Sequence, residues 1–505
     1  MARRRFIQLV AGMGVGFAVN RLARARAGLV GGDGGCDVFS SGFEDAPRRA
    51  VAAPRFADRT HTVDANAVGN GDGTDQRPWT LSQALNLAQP GMVIGVRAGV
   101  YIGRAQSANS NAFRYTPAFR TALSGTAAAP IYLVAEHLAA LDLGPTSELR
   151  SGSTVVGGGW PAFGNYQRDH VWWIGFASDE AAADNKPCND SAPAVLWSST
   201  GGGFIHCDLR GVDVGFQDNH SGIRCEDSSG FLVSDCRIGG FRRGGGSSVN
   251  QAGVMTYRCR DAHFVHNQIS DCGNALFWKA SSPQWGLHAR FNVFADCDDM
   301  MRIMLLEATA RSTISQNLFI RYRTSAIYLS DLAVGGAVPQ ELYVCNNLFV
   351  QRSAVAGNLG TFRYDKPAYA ASNKVYNNIV FDTQGAPVIS SDFNRDVSTL
   401  LSYVEHQYNC YFGHGPFGGS EGGSGSLRDL TLGAWVQTYG MDVAGVFADP
   451  RLENVAARDF RLRADSPCRL AGRDILQLLG GGVNQPIHMG PVISECAVPS
   501  FGVRS

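Results

Sequence analysis

The sequence predicts an all-β solenoid, a parallel β-helix with a short N-terminal capping helix, and three observations lead there. The first is a repeat between Cys207 and Asn409. Asn267, Asn292, Asn317, Asn347, Asn378 and Asn409 each stand two positions before an apolar or aromatic residue, and two earlier copies carry Cys207 and Cys236 in the same slot. The second is the spacing: by subtraction the copies follow one another at 25 to 31 residues, a period that marks solenoids and propellers. The third is what lies between them. Four-stranded propeller blades need hairpin signals, and these are missing. One coil of a β-helix needs only three short strands and their turns. Stacking coils about 4.8 Å apart sets equivalent residues in rows. A buried Asn is stable in such a row because its amide bonds the neighbouring backbone and the next Asn.

Composition agrees with a turn-rich β protein. The 505 residues include 60 Gly, are 45% apolar and only 17% charged, which argues against disorder. The formal net charge is zero, so nothing in the balance points to nucleic acid or an anionic membrane as a partner. The N-terminus reads as targeting rather than structure. Arg3-Arg4-Arg5-Phe6-Ile7 precedes an apolar, Gly-rich run to about Val19, and Ala25-Arg26-Ala27 supplies small residues for cleavage near Ala27. It resembles a twin-arginine export signal; an ordinary Sec signal with a basic start is the alternative. Either directs the protein to the periplasm or beyond. The apolar run is too short to span a bilayer. The expected organisation is a signal over 1–27, a linker over 28–58, the β-helix over 59–490 and a tail over 491–505.

Taken in order, the folded region opens near Val63. Thr80 and Gln83 form a capping-box pair, Leu81, Ala84, Leu85 and Ala88 give one apolar helical face, and Pro90-Gly91 stops the helix. Such a helix would cover the open end of the first coil. The run from Val93 is expected to begin the sheet, and Ile131–Val134 and Val171–Phe176 supply strands of the first coils. Asp179–Pro193 and Phe241–Asn250 read as insertions at the coil edge, and 413–440 as a loop excursion before the final coil. The 12 Cys all follow the cleavage site. Cys207 and Cys236 share the ladder slot, while Cys272 and Cys297 each lie five residues after a ladder Asn, which suits small buried hydrophobes better than bridges.

The opening segment, the ladder and the closing run Asp449-Pro450 with Arg458–Gly472 together resemble right-handed parallel β-helix proteins of the pectate-lyase-like superfamily. The resemblance spans roughly 60–490. It implies the right-handed fold; it does not single out a function, because that superfamily holds lyases, hydrolases, epimerases and non-catalytic surface proteins.

Side-chain alternation locates candidate chemistry. Ile223, Val254, Leu276, Ile303 and Ile327 are set inward, which turns their neighbours out to solvent. One outer column then reads Arg224, Met255, Phe277, Arg302, Tyr328; the other reads Glu226, Tyr257, Lys279, Met304, Ser330. That constellation suits β-elimination on a uronate-containing polysaccharide, which needs a base and a cation to neutralise the carboxylate. Lys279 is the expected base, Arg302 the carboxylate partner and Tyr257 the proton donor, with Arg224, Glu226, Phe277 and Tyr328 as substrate contacts. Arg302 nearby would depress the Lys279 pKa.

The run from Phe277 to Ser282 and the Arg302 one coil later are similar to the alginate lyase and chondroitinase B family, where a Lys and an Arg on successive coils act together. That resemblance implies calcium as a cofactor, yet the acidic ligands the family places just before the Lys are here Asn274 and apolar residues, and Glu226 and Asp227 lie too far back. The residues themselves point to no metal. A polygalacturonase-type hydrolase would need paired carboxylates; Asp298-Asp299 read instead as a turn. His220, His263, His266 and His288 share no evident column, and only a His220 folded over the Lys279 face would make a C5-epimerase readable. The expectation is therefore an exported, monomeric protein acting on an acidic polysaccharide as a lyase, with a non-catalytic glycan-binding protein, an epimerase or a glycoside hydrolase as alternatives.

Overall fold

The computed structural model describes residues 53–103, 116–140, 152–157, 161–181, 192–214, 219–243, 250–279, 285–304, 311–330, 341–351, 360–364, 373–391, 404–415, 417–420, 430–474 and 487–491. The expected signal and most of the linker, the tail after 491, and the centres of the two insertions (182–191 and 244–249) lie outside them. Each coil runs through three strands. On one coil these are Arg260–Val265, Gln268–Ser270 and Asn274–Trp278; on the next they are Trp285–Arg290, Val293–Ala295 and Asp299–Met304. Equivalent strands pair in parallel, in register, and build three sheets of 12, 11 and 10 strands. The chain is a right-handed parallel β-helix, the hand that parallel crossovers take.

The corner between the first and second sheets shows why the repeat is written as it is. The chain turns there in two residues. The first is held at positive φ, between 53 and 59°, at His206, Asp235, His266, Phe291, Gln316, Asn346, Asn377 and Tyr408. A side chain in that conformation costs about 1–2 kcal/mol, and where the second residue is Asn its contacts offset it. Asn292 Nδ2 donates to Phe264 O at 2.9 Å and to Asn317 Oδ1 at 2.9 Å, while its backbone N–H donates to the same Oδ1 at 2.9 Å. The same three contacts recur at Asn267, Asn317, Asn347 and Asn378. At about 1 kcal/mol net each, they outweigh the strain of the turn. The series ends on Asp442. Its Oδ1 accepts from Asn409 Nδ2 at 2.8 Å and Asn409 N at 3.1 Å, and its Oδ2 from Tyr411 Oη at 2.8 Å and Trp435 Nε1 at 3.0 Å.

The interior between the sheets is apolar and runs the length of the solenoid, with Phe294, Phe319 and Phe349 stacked coil upon coil at 5.1 and 4.7 Å between centroids. At its start the helix Leu81–Leu87, capped by Thr80 and Gln83, buries Leu81, Ala84 and Leu85 against that core. At its other end Leu452–Asn454 and Asp459–Leu462 form an antiparallel pair, and Leu452 and Phe460 pack with Cys410, Cys468 and Met489. The nine described cysteines are buried thiols. Among the described residues no helix is long and apolar enough to cross a membrane.

Three expectations need correction. The first sheet begins with His61–Val63, which pairs in parallel with Val93–Val96, so the strand at Val93 is its second member; three residues carry too little alternation to be read. Val171–Phe176 is not one strand: the chain breaks at Gly175 (φ 82°) into Val171–Ile174 of the first sheet and Phe176–Asp179 of the second. A Cβ at Gly175 would meet His137 O at 3.0 Å. The stretch 413–440 is not a simple loop either. It holds Gly418–Ser420, paired in parallel with Ile389–Ser391, and a helical turn at Ala434–Thr438 that buries Trp435.

Candidate functional site

The third sheet carries the residues singled out for chemistry, and its register is the expected one. Arg224 pairs with Met255 and Glu226 with Tyr257; Met255 pairs with Phe277, Phe277 with Arg302 and Arg302 with Tyr328. Tyr328 then pairs with Arg363, which extends the first column by one coil. The backbone N–H of Lys279 donates to Thr256 O at 3.1 Å, continuing the ladder one step past the strand end and setting Lys279 beside Tyr257.

These columns do not face open solvent, as alternation alone implied. Arg224, Glu226, Met255, Tyr257, Phe277, Met304 and Tyr328 are all at least 92% buried; Lys279 and Arg302 are part-exposed. Alternation fixes which side of the sheet a residue takes, not how much of its length its neighbours in the row cover. Here the side chains lie on one another. The Arg224 guanidinium sits 4.9 Å from the Tyr257 ring centroid, and the Lys279 ammonium lies 5.4 Å from Tyr257 and 5.5 Å from Phe277. Arg302 lies 4.9 Å from Phe277 and 5.0 Å from Tyr328, and Arg363 lies 4.1 Å from Tyr328. Cation and ring alternate along the face, and Lys279 and Arg302 flank one ring. Such contacts are worth about 0.5–2 kcal/mol each as water is excluded.

Polar partners differ between the two cations. Lys279 Nζ donates to Asn219 Oδ1 at 2.6 Å and to Asn250 Oδ1 at 3.3 Å. Arg302 keeps its Nε buried without a hydrogen-bond partner. Its charge acts with that of Arg363 on Asp299, whose carboxyl burial raises while Ser325, Arg363 and Arg302 pull it down. Asp299 is not a turn residue: it opens the strand Asp299–Met304 and accepts from Ser325 Oγ at 2.5 Å. Arg224 and Glu226 are ion-paired to each other, and Glu226 also takes Arg258 at 3.2 Å.

Calcium does not fit these residues. Hard cations need several oxygen ligands, whereas Glu226 and Asp227 are bound to Arg224 and Arg258 and Asn274 is buried with its amide on Gln251 O at 3.0 Å. His220 does not cover the face. It is fully buried, 2.6 Å from Glu180 Oε1 and tilted against Phe241; its neighbour Asn219 is the residue that reaches Lys279.

The histidines were misjudged in one respect. His263 and His288 are register partners in the first sheet and stack at 4.8 Å between centroids, 21° apart. Asp261 lies beside them, its Oδ1 3.0 Å from His263 Nε2. Ligand atoms of Asp261, His263 and His288 all fall within 4.8 Å of one another. The available signal was Asp-x-His in one copy and a His four residues before the next ladder Asn, just as His263 stands four before Asn267.

No protein-family model matches the chain, and no curated protein does. Solved structures that it resembles include the complex of XylC with xylose (11% identity, TM-score 0.43, covering 78% of this chain and 87% of that one). Pectate lyase Pel9A (13%, TM-score 0.41, 87% and 96%) and an alginate lyase from Paenibacillus sp. str. FPU-7 (14%, TM-score 0.34, 68% and 95%) are others. At these identities no substrate carries over.

Proposed function

We propose that the third-sheet face handles an extended anionic polysaccharide and cleaves it by β-elimination in an exported protein. The observation that carries this reading is the pair of part-exposed cations, Lys279 and Arg302, flanking Phe277 in a face whose other described side chains between Arg224 and Tyr328 are buried. From Arg224 to Arg363 the cations span five coil steps, roughly 24 Å at about 4.8 Å per step, a line suited to a polymer rather than a single sugar. In the reaction the Arg302 guanidinium pairs with the uronate carboxylate and stabilises the charge that develops there. Lys279, as neutral amine, takes the proton α to that carboxylate. The carbon–carbon double bond forms as the glycosidic oxygen leaves from the β carbon, and the Tyr257 hydroxyl gives that oxygen its proton. Phe277 and Tyr328 hold the two cations in place, and the Arg224–Glu226 pair closes one end of the line.

A second reading has its own observation. The two Asn oxygens on Lys279 Nζ favour the charged ammonium, which binds anions and is a poor base. A non-catalytic glycan-binding face would keep Lys279 in that form. Ultraviolet absorbance of the unsaturated uronate product decides between them, across alginate, pectate, chondroitin and related polymers. Product that is lost in Lys279→Ala and in Arg302→Ala supports the lyase. Binding to one polymer without product, weakened by the same changes, moves the assignment to the binding module.

A further inference from the structure

We infer a transition-metal site of the zinc class on the outer face of the first sheet, formed by Asp261, His263 and His288. It is separate from the third-sheet face and does not depend on what that face does. The strand Arg260–Val265 contributes Asp261, turned by a backbone φ of 49°, and His263, and the two side chains meet at Oδ1 and Nε2. The next coil contributes His288, the register partner of His263. A β-helix thus brings together from two strands what a helix achieves with two histidines one turn apart.

The donors have the right chemistry and the right preparation. Two imidazoles and a carboxylate are a ligand set for zinc and its neighbours, and imidazole nitrogen selects against calcium and magnesium. His288 Nδ1 lies 3.0 Å from Thr313 Oγ1. That contact fixes the ring from behind and leaves Nε2 for an ion, the arrangement by which metal-binding histidines are oriented. Bonds of about 2.0–2.1 Å in a tetrahedron set ligand atoms about 3.3 Å apart. His263 Nε2 and Asp261 Oδ1, at 3.0 Å, already have that separation, with a proton between them where an ion would sit. The 4.8 Å limit across the group leaves at most about 1.5 Å of closure. Asp261, 64% exposed at its side chain, and His263, at 24%, can make it by rotation while His288 stays anchored. Three protein ligands leave one position to water or an incoming ligand, and the ion would tie two successive coils together.

The test uses the mature protein with zinc alone by calorimetry, and with cobalt by its visible spectrum. One ion per chain is expected, with a cobalt spectrum of tetrahedral nitrogen and oxygen ligation and no thiolate charge-transfer band. His263→Ala, at a surface position, should weaken binding at least tenfold, as should His288→Gln, while Lys279→Ala leaves it unchanged. The melting temperature should rise with zinc in the wild type and not in His263→Ala, and a large excess of calcium should not displace the ion. No binding, binding undiminished in His263→Ala, or a thiolate band that places the ion on the cysteines would each overturn the site.

Discussion

Two outer faces of one solenoid solve the same problem in opposite ways. Both stack residues coil upon coil at the spacing of a parallel ladder, where like charges in adjacent rows are destabilising. On the first sheet His263 lies directly on His288, which is tolerable because partial burial lowers the His288 pKa and keeps that ring neutral. In the two third-sheet columns no like charges occupy adjacent rows among the described residues. Arg224, Met255, Phe277, Arg302, Tyr328 and Arg363 follow in turn, and each cation rests on a ring. A β-helix column is thus constrained as a whole: a residue is compatible or not with the row above and below it. Neutral donors can be concentrated at a point, which suits a metal ion, while permanent cations must be spread along a line, which suits a chain of charged sugars.

The largest expected effect removes what the two faces share. Asn317→Ala would leave Asn292 N and Nδ2, Ala289 O and Asn347 Oδ1 each short of a partner in a buried site. It should cost about 3–5 kcal/mol in denaturant unfolding and impair zinc binding and polysaccharide handling together. Loss of only one would mean that the faces are supported independently. Next, Arg302→Ala should cut product formation by about 100-fold or more with the fold retained by circular dichroism, and His263→Ala should leave the rate as it is.

Acid separates the faces in a third way. The folded-state pKa of His288 lies below its unfolded value, so the unfolded chain binds the proton more readily. Stability is therefore intact above about 6.5 and is lost as pH falls towards 4. His288 contributes up to about 2–3 kcal/mol to that loss, and His288→Gln should flatten the difference between pH 7 and 4 by that amount. The fully buried His406, pushed to about 3, adds a loss of its own that the substitution leaves in place. The smallest effect concerns Tyr257→Phe. It keeps the ring under Arg224 and Lys279 and should change stability by less than about 1 kcal/mol. If the hydroxyl is the proton donor the variant nevertheless forms product at least tenfold more slowly; an unchanged rate would remove Tyr257 from the reaction.

How far these features can be read from the residues follows from what repeats. The ladder was legible because one residue type recurs with an apolar residue at a fixed offset, and with it came the register of the third sheet from Arg224 to Ser330. The turn residue before each Asn was not, since His206, Phe291, Gln316 and Tyr408 share a backbone angle and no chemistry. The burial of Phe277 and Tyr257 was invisible because it arises between coils, from side chains 20 or more residues apart. The paired histidines were missed for a related reason. His263 and His288 stand at the same distance before consecutive ladder residues, the form in which a column appears in a linear string, and neither residue alone carries that signal.

Asp442 gives the solenoid a sense of direction. Every ladder Asn sends its backbone N–H and one side-chain amide hydrogen forward to the next residue of the series and accepts from the residue behind, so the series has a sending end and a receiving end, like a polymer with distinct head and tail groups. A carboxylate only receives, and with four donors upon it it terminates the series as a chain stopper would. A duplicated coil inserted after Asn347 would find an acceptor ahead and a donor behind, whereas one added beyond Asp442 would meet a carboxylate that passes nothing on.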